Sequence, residues 1–349
     1  MQSLQELLGN LGTLQTAPVK DARLSFSFTG QGSFYSGMGA GLYHTLPSFS
    51  STLDAFQELC DAQALGRFLD LIDVATATAC QTQLALAALK AAIAHLLSSL
   101  GLQPTLVIGH SLGEYAALHV AGVLSVSNML NFIHTRASLI QETCTAHAYS
   151  MLAVAMSRKA AADMLHGSDC QTCEVACING PTMTVISGSN EELAVLQSTL
   201  RDRGVHASLP KLQHDFHSSQ LEPLLERFEE AASKVHFSAP RIPVASTLLD
   251  EVVRAGDADV FDAAYLRCQM REPVDFLGAV RACEARKLPQ ANTLALELGP
   301  HGKIRHQQGD GHLVCSPSGP GRLWKLLAVP RRAPCGRPTR RLTRILPGP

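Results

Sequence analysis

Ser111 stands in Gly109-His110-Ser111-Leu112-Gly113, a spacing that suits a nucleophilic serine. An apolar run, Leu106-Val107-Ile108, leads into it and a helix-compatible run, Glu114 to Val120, leads out. The pattern is strand, sharp turn and helix, with the serine at the tip. In so tight a turn the side chains two positions either side must nearly vanish, and glycine at 109 and 113 meets that need. The helix behind Ser111 aims free amides at the site, where they can stabilise an oxyanion. A serine also needs a base within hydrogen-bond reach. His214 and His217, both in the run Leu212 to Ser219, are the candidates, and the residues alone leave the two equal. Arg136 lies on the second helix after the turn. If that helix folds back beside the sheet, its guanidinium can grip a substrate carboxylate through two hydrogen bonds. Glu114 reads as structural, paired within its own helix.

Positioning these groups takes a layered fold. Leu24 to Phe28 alternates as a strand and runs into the turn Thr29-Gly30-Gln31-Gly32-Ser33. Residues 49–72 read as a broken helix, and Gln83 to Leu100 as a strong one of Ala and Leu, closed by Gly101 and Pro104. Its aliphatic residues read as core. The next helix starts at Ser125 to Ser127 and runs to about Thr143. From Met151 the texture changes: strand at 151–156, helix at 158–166, strands at 174–178 and 183–187, helix at 191–203 and strand at 205–212. That order, βαββαβ, predicts a ferredoxin-like unit inserted in a larger domain. A helix at 220–234, a strand at 242–246, a helix at 273–285 and a strand at 293–298 follow. Strands alternating with helices predict an α/β architecture with a mainly parallel sheet. The expected division is a leader or linker over 1–22, a core over 23–150 and 213–305, the inserted unit over 151–212, and a basic tail over 306–349 with no regular fold.

The 349 residues are 46% hydrophobic with net charge −1, a globular composition. No apolar run is expected to span a membrane, and the N-terminus lacks the pattern of a signal peptide. Ten irregularly spaced cysteines suit a reducing compartment, so the expectation is cytoplasmic. Residues 301–349 carry ten Lys or Arg against Asp310 alone, with a single aromatic, Trp324. That reads as a solvated tail, not a nucleic-acid contact. Cys170-x2-Cys173, near His166 and Cys177, lacks a second matched pair, so no metal is expected. Gly30-Gln31-Gly32 lacks the third glycine of a dinucleotide fingerprint.

Gly30-Gln31-Gly32, Gly109-His110-Ser111-Leu112-Gly113-Glu114, Arg136, Phe216-His217-Ser218 and Glu297-Leu298-Gly299-Pro300 occur in this order. Together they resemble the acyl-CoA:acyl-carrier-protein transacylase family of fatty acid and polyketide synthesis, over about residues 24–301. The run Thr29 to Gly39 and Phe216-His217-Ser218-Ser219-Gln220 most resemble the malonyl-transferring domain of fungal iterative non-reducing polyketide synthases. The resemblance implies a hydrolase-like core, with Ser111 as nucleophile and His217, rather than His214, as base. It implies that Gln31 and the Leu112 amide form the oxyanion hole and that Arg136 holds a malonyl carboxylate. Gln269 would orient His217 through a carbonyl, Asn179 would line the site, and Phe216 would crowd a branched acyl chain.

The implied substrate is malonyl-CoA, with no bound cofactor. The implied partners are an acyl carrier protein, whose phosphopantetheine thiol takes the group, and a ketosynthase domain, with no nucleic acid and no membrane. After His301 the chain departs from the family's usual final strand and helix. Two rival readings remain: a serine esterase or thioesterase, which leaves Arg136 without a role, and an inactive truncated fragment.

Overall fold

The computed structural model describes residues 23–32, 34–35, 37–72, 77–145, 148–209, 216–288, 293–299, 312–316 and 325–328. The leader or linker expected over 1–22, and His214, lie outside them. The described elements are β1 (Arg23–Phe28), α1 (Ala40–Thr45), α2 (Pro47–Ala62), α3 (Ala79–Ser99), β2 (Pro104–Gly109), α4 (Gly113–Val120) and α5 (Val126–Thr143). Next come β3 (Tyr149–Val154), α6 (Arg158–His166), β4 (Glu174–Gly180), β5 (Met183–Ser189), α7 (Asn190–Asp202) and β6 (Ala207–Ser208). The chain continues through α8 (Glu222–Ala232), β7 (Val244–Ser246), β8 (Glu251–Val253), α9 (Ala263–Arg271), β9 (Val274–Asp275), α10 (Phe276–Ala285), β10 (Thr293–Leu298), β11 (His312–Ser316) and β12 (Lys325–Ala328).

Two sheets organise them. The seven-stranded sheet has the order β12-β11-β10-β1-β2-β7-β8, parallel from β11 to β7 with an antiparallel strand at each edge. Its middle is buried on both faces. Val107 of β2 joins the core beneath α3 and α4, whereas Leu106 and Ile108 pack with Phe276, Ala279 and Cys283 of α10. Near-continuous apolar strands are what a parallel sheet covered on both sides requires. The five-stranded sheet has the order β6-β3-β5-β4-β9 and carries α6 and α7 on one face, around Leu152, Ile186, Leu193 and Leu196. Its fifth strand, β9, is supplied from outside residues 151–212 and pairs parallel with β4, which ties the two layers together.

Helix α3 is the spine of the core. Thr78 caps it reciprocally with Gln81, a device worth about 1 kcal/mol. Contrary to expectation, its 21 residues are long and apolar enough to cross a membrane by length and composition. The run from Gln83 to Ala94 is wholly buried in protein and includes Lys90, as befits a core helix. Two further expectations change. The stretch 306–349 contributes β11 and β12, which extend the large sheet beyond β10. Its overall Pro, Gly and Arg content hides two runs of four or five strand-forming residues. The short strands β8 and β9 were not foreseen, since two or three residues set no period to read, and neither was the nine-residue helix α9.

Candidate functional site

Strand β2 delivers Ser111 into the turn before α4 with φ 51°, a left-handed conformation that costs a non-glycine residue about 1 kcal/mol or more. The surroundings enforce it. A Cβ on Gly109 would lie 2.3 Å from Glu114 Cα, and one on Gly113 would lie 2.2 Å from the Phe28 carbonyl oxygen. Alanine at either position therefore forces the turn apart. The Gly113 and Glu114 amides donate to the carbonyls of His110 and Ser111, whereas the Leu112 amide has no partner among the described residues.

His217 reaches the same point from 106 residues along the chain. Its Nε2 lies 2.7 Å from Ser111 Oγ, and its Nδ1 lies 3.1 Å from the Glu272 carbonyl oxygen. A carbonyl only accepts, so Nδ1 carries the proton and Nε2 is left to take that of the serine. Burial, then the charges of Arg136 and His110, push the imidazole pKa down to about 3. The ring is neutral at pH 7. It also sits at φ 59°, a second strained residue in the same contact.

Gln269 makes a second contact beside the one expected with His217. Its Nε2 donates to the Ser111 carbonyl at 3.1 Å, while the Glu272 carbonyl, three residues on, accepts from His217 Nδ1. The Gln269 backbone carbonyl still adds to the field that favours a charged ring. Asn179, on β4, accepts from His110 Nε2 at 2.8 Å and so links the small sheet to the turn. His110 was not foreseen as a site residue; its place between Gly109 and Ser111 was the only signal.

Glu114 is buried, and its partners are not in its own helix as expected. Thr247 Oγ1 donates to it at 3.0 Å, and the Tyr265 hydroxyl and the Gln269 side chain donate as well. Burial raises its pKa to about 7 against those three hydrogen bonds.

Arg136 projects from α5 and is 1% exposed. Its Nε and Nη1 have no hydrogen-bond partner, and no ion pair among the described residues includes it. Its contact is the Phe216 ring, 5.1 Å from Cζ to the centroid. Phe216 therefore braces the cation, a role the sequence did not suggest. Burial lowers the pKa of Arg136, and the nearby Tyr115 acts in the opposite direction. The Tyr115 hydroxyl and Gln31 Oε1 are also buried without partners. A buried guanidinium costs several kcal/mol unless an anion meets it. The arrangement is a serine hydroxyl hydrogen-bonded to a neutral imidazole, an unpartnered amide beside it, and a buried guanidinium with two unpartnered nitrogens.

Away from this site, the ligand atoms of Cys170, Cys173 and Glu192 lie within 4.8 Å of one another. Cys177 and His166 are not in that group. The Glu192 oxygens already accept from the Gln171 and Thr172 amides and from Thr172 Oγ1, at 2.9, 2.9 and 2.6 Å, which fastens the loop before β4.

A family model described as an acyl transferase domain matches residues 25–312. Over 284 residues the chain is 45% identical to an orsellinic acid synthase of Emericella nidulans, covering 79% of this chain and 14% of that protein. It is 44% identical over 310 residues to the non-reducing polyketide synthase rads2 of Floropilus chiversii, covering 86% and 14%. The chain thus spans about a seventh of the length of these relatives. Among solved structures, the acyltransferase domain from the second module of the salinomycin polyketide synthase superposes with TM-score 0.72 at 32% identity, over 87% of this chain and 72% of that one. FabD from Acinetobacter baumannii, at 23% identity and TM-score 0.71 over 84% and 94%, shares the fold.

Proposed function

This chain belongs to the acyl transferase domain family, and from that premise we propose that it moves a malonyl group from coenzyme A to the phosphopantetheine thiol of an acyl carrier protein. The observation that carries the choice of acyl group is Arg136, a buried guanidinium whose Nε and Nη1 lack partners. A malonyl carboxylate supplies the missing charge and acceptors; an acetyl group supplies neither.

In this reading Ser111 Oγ attacks the thioester carbonyl as His217 Nε2 takes its proton. The oxyanion is held by the Leu112 amide and the Gln31 side-chain amide, and a donor of this kind is worth about 2.7–4 kcal/mol. His217 returns the proton to the departing coenzyme A thiol. In the second half His217 takes the proton of the carrier's thiol as its sulfur attacks the malonyl-serine carbonyl. The Ser111 Oγ–acyl bond breaks and the proton passes from His217 to Oγ, which closes a ping-pong cycle. Among the described residues His217 is backed by the Glu272 carbonyl. In the first half-reaction a thiolate leaves readily; in the second the leaving group is the Ser111 oxygen, which takes its proton from His217. We take the large sheet as a hydrolase-like core and the order β6-β3-β5-β4 as a ferredoxin-like unit over it. The free cysteines at 60, 80, 144, 170, 173, 177, 268 and 283 fit the cytosol, and the parent assembly supplies carrier and ketosynthase.

Labelled malonyl-CoA tests the reading. The chain should hold label on Ser111 and pass it to an acyl carrier protein, and Ser111→Ala should hold none. Release of free malonate without carrier transfer would instead make the chain a hydrolase, and no label at all would make it an inactive fragment.

A further inference from the structure

The core of the molecule holds a second cation that this mechanism does not use. Lys90, on α3, is 0% exposed in a run that is otherwise alanine, leucine and Ile93 from Leu84 to Ala94. Among the described residues no ion pair includes it. Burial and the nearby Arg136 push its pKa down to about 7, a measure of how costly its charge is there. Leucine or methionine at 90 would fill the same space without that cost.

What Lys90 does with its ammonium is specific. Nζ donates to the Thr29 carbonyl at 2.5 Å, 61 residues away. Thr29 is the residue at which β1 gives way to the Gly30-Gln31 turn, and its amide is held by the Leu298 carbonyl at 3.2 Å. Its carbonyl oxygen would lie 2.7 Å from a Cβ on Gly113, two residues from the nucleophile. The next residue, Gly30, leaves room for His110 alone; a Cβ there would meet His110 Nδ1 at 2.9 Å. Leu89, beside Lys90, packs the far end of the same loop, with Cδ1 2.7 Å from the Cβ position of Gly39. Helix α3 thus touches the loop at both ends, and the polar contact falls two residues before Gln31.

We propose that Lys90 is a positioning residue for acyl transfer, clamping the Thr29 carbonyl so that the Gly30-Gln31 segment faces the oxyanion. The claim rests on the acyl-transfer reading of Ser111 but not on the identity of the acyl group. Lys90→Met tests it, because relief of a buried charge offsets the one hydrogen bond lost at the Thr29 carbonyl, whereas releasing the loop slows the chemistry.

Ser111 is labelled with a small alkyl fluorophosphonate, in which the Oγ–P bond forms, fluoride leaves and His217 takes the proton. The expected result is a maximal labelling rate lower by about tenfold or more, with an unchanged half-saturating concentration and a Tm no lower than wild type. Acylation by malonyl-CoA and by acetyl-CoA should slow by the same factor. A wild-type labelling rate in Lys90→Met overturns the proposal. So does a loss confined to malonyl-CoA, which would place Lys90 on the carboxylate, and so does a loss that comes with a lowered Tm, which would make it a packing residue. A wild-type chain that takes the fluorophosphonate but not malonyl-CoA sinks the donor assignment and leaves the Lys90 comparison intact; one that takes neither sinks both.

Discussion

Glu114 and Arg136 sit on neighbouring helices, each 1% exposed, and their surroundings could hardly differ more. Glu114 has three donors, from Thr247, Tyr265 and Gln269. Arg136 has the face of Phe216 and two nitrogens with nothing to donate to. A buried carboxyl whose donors are all present holds the fold together; on the reading proposed above, a buried guanidinium with two unmet nitrogens is held for a ligand. Both lie within 25 positions of Ser111 in the same core.

Stability measurements should split the two. Glu114→Ala strands three buried donors and should cost about 3 kcal/mol or more in denaturant unfolding. Arg136→Met removes an unmet charge and should leave stability unchanged or raised. Equal losses in both variants would erase the distinction.

A smaller effect is expected at Phe216. Phe216→Leu removes the ring that braces Arg136, a contact worth about 0.5–2 kcal/mol. It should raise KM for malonyl-CoA several-fold and leave that for acetyl-CoA alone; parallel rises would mean the ring acts only as packing.

The pH terms are smaller still. The Glu114 pKa is raised in the fold, so its stabilising contribution is complete below about 4.5 and is lost as pH rises through about 7. Glu114→Gln should flatten the stability profile across that window. His217 has the opposite sense: its contribution is present above about 6.5 and is lost as pH falls toward about 3. Pre-steady-state acylation should therefore stay level from pH 8 to 5, and a limb near 6.5 would show an ordinary exposed imidazole.

Much of this site could be read before any coordinates. The turn at Ser111 was legible because two glycines and a flanking apolar run fix its geometry locally. Arg136 was legible as a cation on the right helix. The residues that define its environment were not: Tyr115 and Lys90 lie in apolar helical runs, where only the fold says which buried polar group meets a partner. Gln269 was legible as a neighbour of His217, but Glu272 was not, since only the fold brings the residue just past α9 to the ring. Strands β8 and β9 were too short to show a period, and β11 and β12 were masked by the composition around them.

The account depends most on what the Arg136 guanidinium is waiting for. Competition between labelled malonyl-CoA and acetyl-CoA for Ser111, in wild type and in Arg136→Met, measures it directly. The prediction is a malonyl preference in wild type that falls by about 100-fold or more in the variant, with acetyl loading preserved. An Arg136→Met chain that still prefers malonyl would contradict it.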